Sequence, residues 1–387
     1  MDDGIVSEVD RIIPEIVALR HEIHRNPELS MKEFQTSDRV RNLLADTTID
    51  LLPPYLETDV IGMLEGGNAG KNITLRADMD ALPLDEKTGA SYQSRNPGVM
   101  HACGHDGHTS MLIGAARVLD RFRDRLSGTV RFVFQPGEEI GGGRQLLAKN
   151  ILSDPPPAEI IALHGSPSHP LGRISARPGI AMAACDFFNI EVRGKGSHAA
   201  RPEEGIDTVL TASRIVDALQ SVVSRSISAF KPGVVSICHI ESGMNCNVLP
   251  DDAFLEGCIR YLEPEVGETL RTGIDRIIKG TCDAMGATYV FNCDQTFAAT
   301  VNTPEVVARG ARVARDLFGC TGWHELPEPA LGSEDFSFFL LEHPGAMFRV
   351  GVGEDVPALH NPGYDFTDEA LRAGILFFVG MTMDLLS

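Results

Sequence analysis

Basic residues are scarce in this chain: 34 Lys and Arg stand against 54 Asp and Glu, for a formal net charge of −20. A surface this negative repels phosphate backbones and anionic lipid headgroups, so neither nucleic acid nor membrane is an expected partner. Local charge in a cleft can still favour an anionic substrate. Long apolar runs are also missing. The longest stretch, from Ala373 to Leu386, contains Asp384 and falls short of the ~20 apolar residues that a membrane span needs. The first ten residues are acidic and lack the basic and apolar regions of a signal peptide. The eight cysteines form no regular framework, which points to free thiols in a reducing compartment and a cytoplasmic location. There is no low-complexity segment and no repeat at solenoid or propeller periods.

What is present is a globular composition over 387 residues, enough for a large core and two domains. Ile12, Ile16, Leu19 and Ile23 recur at helical spacing ahead of Pro27. Asp59 to Leu64, a turn with Gly66, Gly67 and Gly70, and Asn72 to Ala77 predict a hairpin followed by a core strand. That turn lacks the glycine order of a phosphate loop. Several apolar strands then end in polar residues. Ile73–Ala77 leads into Asp78 and Asp80, Val130–Phe134 into Gln135 to Glu139, and Ile160–Leu163 into His164. Met347–Gly351 precedes the loop of His360. Helical stretches such as Thr109 to Phe122 separate them. The expected fold is α/β, with a mostly parallel sheet that would bind its ligand at the strands' carboxyl ends.

From about Ala181 to Phe297 the rhythm changes to strand, helix, two strands, helix and strand, the ferredoxin-like order. This predicts an α+β domain at 181–297, inserted into a catalytic domain made of 1–180 and 298–387.

The densest chemistry lies in Met100 to His108, where Cys103 and His105 are borderline-soft ligands two residues apart. An extended loop would point both the same way, and Gly104 and Gly107 would let the backbone approach a metal. Glu138 and Glu139 follow a buried strand, where adjacent carboxylates repel unless a cation or proton intervenes. One can ligate a metal while its neighbour moves a proton. An acidic turn is the plain alternative. Asp78 and Asp80 point to one side of their strand, where one could orient a metal-bound imidazole or cap a turn. Cys103 as a nucleophile, or Ser197 beside His198, ranks below the metal reading, because Gly194 to His198 does not match a nucleophile elbow.

These motifs resemble a known family. They are Arg76 to Pro83, Met100 to His108, Gln135 to Glu139, Gly194 to Pro202, Asn245 to Pro250, Gly332 to Phe336 and Leu359 to Pro362. In order, and over nearly the whole chain, they look like the metal-dependent aminoacylase/carboxypeptidase family, in the branch of hippurate hydrolases and indole-acetyl-amino-acid hydrolases. The resemblance implies a di-metal, exopeptidase-like catalytic domain with a ferredoxin-like lid. It implies two divalent ions (Zn, Mn, Co or Ni) held by Cys103, His105, Glu139, His164 and His360. Glu138 would be the general base and Asp80 the orienting carboxylate. Asp78 stands where many members have a ligating His, and Cys103 where many have a bridging Asp. His198 would stabilise the oxyanion, often across a dimer, and Asn247 and Arg260 would grip the substrate carboxylate. The implied activity is hydrolysis of N-acyl amino acids by a homodimer or homotetramer assembled through the inserted domain. A dipeptidase or carboxypeptidase with the same machinery is the near alternative, and a non-catalytic metal-binding protein the distant one.

Overall fold

The computed structural model describes residues 2–387 and divides into two compact units. The larger comprises Met1–Ala181, Thr300–Pro329 and Glu334–Ser387. Its eight-stranded sheet runs in the order Asp50–Leu51, Val60–Glu65, Ser127–Gln135, Asn68–Asp78, Glu159–Pro167, Gly345–Gly353, Ile174–Ala176, Trp323–Glu325. The third to sixth of these strands are mutually parallel, and antiparallel pairs lie toward both edges. Their near-continuous apolar runs are what a sheet covered on both faces requires. The helices Asp3–Arg25, His105–Arg121 and Glu369–Leu386 pack on one another and share the main core with the sheet.

The expected hairpin does not form. Val60–Glu65 and Asn68–Asp78 each pair with Ser127–Gln135, which lies between them. The glycine turn is shaped for that later strand. Gly66 N donates to Gly128 O at 2.8 Å, and a Cβ on Gly70 would stand 2.0 Å from Ser127 O. Close backbone approach, and not hairpin geometry, is why glycines cluster there.

The smaller unit comprises Met182–Ala299 with Ala330–Ser333. Its sheet order is Gly233–Glu241, Asp252–Tyr261, Ala184–Arg193, Thr288–Phe297, all antiparallel. Helices Thr208–Ser221 and Pro264–Met285 pack on one face over Phe188, Ile190, Leu255 and Ile259. This is the ferredoxin-like arrangement. The Ala330–Ser333 segment has no counterpart in the sequence-based bounds. It joins this unit through backbone bonds from Ala183 N to Ala330 O and Gly332 O. Among the described residues no helix is long and apolar enough to cross a membrane.

Because a Gly70 side chain would meet fixed backbone, Gly70→Ala should lower unfolding free energy by roughly 1–3 kcal/mol, an overpacking cost. Denaturant titration checks this, and an unchanged midpoint would contradict the packing account.

Candidate active site

The polar residues at the strand ends converge on one place in the larger unit. Asp78 closes its strand, and Asp80 follows two residues later; both are buried. His105 is not on an extended loop: it opens the helix His105–Arg121, with Gly104 at φ 86° as the residue before it. That left-handed turn is open to glycine and reverses the chain between Cys103 and His105. Gly107 has a different task from the one expected. A Cβ there would come within 2.6 Å of the Phe366 ring, so its role is helix packing. His360 sits in the left-handed region at φ 63°, unusual for a residue with a side chain, and its N–H donates to Ala102 O at 2.8 Å. This bond ties the loop of His360 to the loop of Cys103.

Two groups of ligand atoms share Cys103. Cys103, His105 and His164 form one, and Cys103, Glu139 and His360 the other; within each group the atoms lie within 4.8 Å of one another. The imidazoles are oriented for this. Asp80 Oδ1 lies 3.2 Å from His105 Nδ1, and His105 Nε2 is buried with no hydrogen-bond partner. His164 Nδ1 donates to Gly165 O at 2.7 Å, which leaves Nε2 as the lone pair, 3.5 Å from Cys103 Sγ. Glu139 Oε1 is likewise buried without a hydrogen bond, 3.4 Å from His360 Nε2. Lone pairs pointed inward, with the opposite ring nitrogens engaged, are the pattern of metal-ligating histidines. The donor set fits divalent ions of the zinc type.

His108 also lies in this cluster but is fully committed. Its Nδ1 donates to Asp78 Oδ1 at 2.7 Å, and its Nε2 accepts from Gly165 N at 2.7 Å. Asp78 is committed too, because its other oxygen accepts from Arg76 Nη1 at 2.7 Å. His108 therefore has no lone pair to spare for a metal, and each Asp78 oxygen already accepts one hydrogen bond.

The charges and burial of the site shift its proton affinities. Burial opposes a charge on His105, yet Asp78, the Cys103 sulfur and Asp80 hold its pKa well above the usual range. The Cys103 sulfur and the Glu139 carboxylate beside it carry His360 up to about 10. Burial, then Glu334, Asp335 and Glu139, push Glu138 well above an ordinary carboxyl. A divalent cation bound there would compete with these protons.

The family model for peptidase family M20/M25/M40 matches residues 74–384. The chain belongs to this family. It is 34% identical over 384 residues to hippurate hydrolase of Campylobacter jejuni, covering 99% of this chain and 100% of that one. It is 36% identical over 383 residues to thermostable carboxypeptidase 2 of Saccharolobus solfataricus, covering 97% and 96%. The crystal structure of YXEP of Bacillus subtilis, a dinuclear metal-binding peptidase of the M20 family, superposes with a TM-score of 0.83 at 31% identity, covering 100% of this chain and 99% of that one.

The remaining candidates of this M20 chain lie in the smaller unit. Ser197–His198 pairs with Val248–Leu249, His198 opposite Val248, and Ala199 N donates to Asn247 O. His198 and Asn247 are thus neighbours on one exposed two-stranded ribbon. His198 Nδ1 accepts from Ala200 N at 3.0 Å, which leaves Nε2 to carry the proton outward. Arg260 lies on the four-stranded sheet, where its Nη1 donates to Leu331 O at 2.9 Å and Ser333 Oγ at 3.2 Å.

Glu33 emerges only in three dimensions. It is buried and accepts from Gly137 N at 2.9 Å, Met31 N at 2.9 Å and Thr58 Oγ1 at 2.9 Å. It thereby fixes the turn ahead of Glu138, while burial and the Asp80 carboxylate push its pKa up to about 7. Nothing in the local sequence marks it.

Behind the helix of His105, the buried His24 lies 2.9 Å from Asp106 and 3.2 Å from Glu86. Burial lowers its proton affinity, but the Asp106 and Glu86 carboxylates overcome that and raise its pKa from 6.5 to about 10. A raised pKa stabilises the fold fully below the unfolded value and loses that contribution as pH rises through the folded value. The stability difference between wild type and His24→Asn should therefore be widest below pH 6.5 and shrink up to pH 10. Denaturant titrations across that range check it, and a constant difference would contradict the charged state of His24.

Proposed function

We propose that this chain is a metal-dependent amidohydrolase that cleaves the amide bond of N-acyl amino acids, giving a carboxylate and a free amino acid. Two divalent ions (Zn, Mn, Co or Ni) would be held by Cys103, His105, Glu139, His164 and His360. The observation that carries this reading is the pair of three-ligand groups sharing Cys103, with Glu138 buried beside Glu139. Bound ions would supply Lewis-acid polarisation of the scissile carbonyl and acidify water.

The side chains do the rest. Glu138 removes a proton from the attacking water and returns it to the leaving nitrogen. Asp335 N donates to Glu138 Oε1 at 3.2 Å, and Asp80 Oδ1 accepts from Glu138 N at 3.1 Å, so both ends of the residue are fixed. The raised proton affinity of Glu138 lets it hold the proton between the two transfers. His198 offers its Nε2 proton to the developing oxyanion. Arg260, already aimed by Leu331 and Ser333, takes the substrate carboxylate together with Asn247.

A carboxypeptidase reading shares all of these roles and is favoured by the relative of that name. The choice between them is the group on the acyl side, and a screen of acetyl, benzoyl and indole-acetyl amino acids against dipeptides with a free amino group decides it. Eight free cysteines support a reducing, cytoplasmic setting. Self-association through the smaller unit is supported by its edge strand Gly233–Glu241, which exposes Ile240, and by the exposed Val209 and Leu210 of the neighbouring helix.

Glu138→Gln should keep its metal content and lose turnover by ~10²–10⁴, the share of a general base. Glu139→Gln should lower metal content instead. Metal analysis and turnover on the same samples separate the two, and normal values in both variants would reduce the pair to an acidic turn.

A further inference from the structure

Three thiols of the smaller unit meet on one face of its sheet, and none of them belongs to the ligand groups. Cys185 pairs across strands with Arg260, so Cys258, two residues before Arg260, is its diagonal neighbour on the same face. On the other side of that strand Ser236 pairs with Cys258, and the register shifts between Ile237 and His239. Cys238 is the extra residue of this bulge, and its thiol lies beside that of Cys258. Cys185 and Cys258 pack with Phe297 in a small buried cluster, whereas Cys238 is exposed.

The Cys258 sulfur is the common partner of Cys185, Cys238 and the Arg260 guanidinium. The Cys185 thiol beside it, opposed by burial and helped by Arg260, lowers the proton affinity of the Cys258 thiol. The Cys185 thiol moves the opposite way through the same contact and its own burial. Lowered proton affinity beside a guanidinium favours the thiolate, which is the reactive form.

We propose that Cys258 is a site of oxidation by hydroperoxides, with Cys238 as the resolving thiol. The Cys258 thiolate attacks a peroxide oxygen, and the O–O bond breaks. Hydroxide leaves and takes up a proton to become water, and the sulfur becomes a sulfenic acid. The Cys238 sulfur then attacks the sulfenic sulfur. The S–O bond breaks, a second water leaves with the thiol proton, and the S–S bond forms. Two thiols lose two electrons in total, and one hydrogen peroxide gains them. Cys238 is assigned the second step because it is exposed at the bulge, whereas Cys185 is 1% exposed. This site does not depend on the substrate assigned above.

The test treats the full chain with hydrogen peroxide, then maps peptides by mass without reduction. Wild type should show a reductant-reversible link between the Cys238 and Cys258 peptides. Cys258 should react about tenfold faster than the exposed Cys246 and Cys320, in line with its larger thiolate fraction. Cys238→Ser, a change at an exposed position, should lose the link and instead carry a dimedone-trapped sulfenic acid on Cys258. The Cys103 peptide and the metal content should stay unchanged in both. Oxidation spread over Cys103, Cys246 and Cys320 with Cys258 still free would overturn the site. A Cys185–Cys258 link would overturn the assignment of Cys238.

Discussion

The Arg76 guanidinium holds together the most heavily charged part of the larger unit. It donates from Nε to Gln135 at 2.9 Å, from Nη1 to Asp78 at 2.7 Å, and from Nη2 to Glu334 at 2.9 Å and Asp335 at 2.8 Å. All five side chains are buried. Parallel strands that end together bring their terminal polar residues together, and here those residues are predominantly acids. Buried carboxylates without compensation are far too costly to persist. One cation that bridges three carboxylates meets part of that demand. Removal of one partner from such a buried arrangement costs about 3–5 kcal/mol.

The charge that Arg76 leaves uncompensated gives the site its character. Asp78 is tied to Arg76 and His108. Asp80 gathers His105 Nδ1, Ser30 Oγ and the backbone N–H groups of Glu138 and Glu139, so one carboxylate positions an imidazole and the turn that carries the two glutamates. Glu33 secures the same turn from behind through Gly137. What remains open is a ring of lone pairs on Cys103, His105, Glu139, His164 and His360, and the unpaired buried His105 Nε2 and Glu139 Oε1 lie on it. The supporting carboxylates and the free lone pairs are two halves of one arrangement.

Much of this was legible in the sequence, because apolar strand runs that stop at acids and imidazoles carry both fold and site in one pattern. The parallel sheet, the ferredoxin-like unit and the convergence of Cys103, His105, Glu139, His164 and His360 follow from it. The failures have a common cause. The Val60–Glu65 and Asn68–Asp78 strands look like a hairpin locally, and only the later strand Ser127–Gln135 shows that they are held apart. Gly107 stands in a ligand motif, yet its space is taken by Phe366, far along the chain. Glu33 and the Ala330–Ser333 segment act through partners that no local window contains. Periodicity reports local structure, whereas these assignments depend on tertiary partners.

The central claim is that one sulfur, Cys103, serves both groups of metal ligands. X-ray absorption at the zinc edge of the zinc-reconstituted protein tests it most directly. A zinc–sulfur distance of ~2.3 Å alongside nitrogen and oxygen at ~2.0–2.2 Å is predicted, with the sulfur shell lost in Cys103→Ser. A shell of nitrogen and oxygen alone in the wild type, or a sulfur shell that persists in Cys103→Ser, would contradict it.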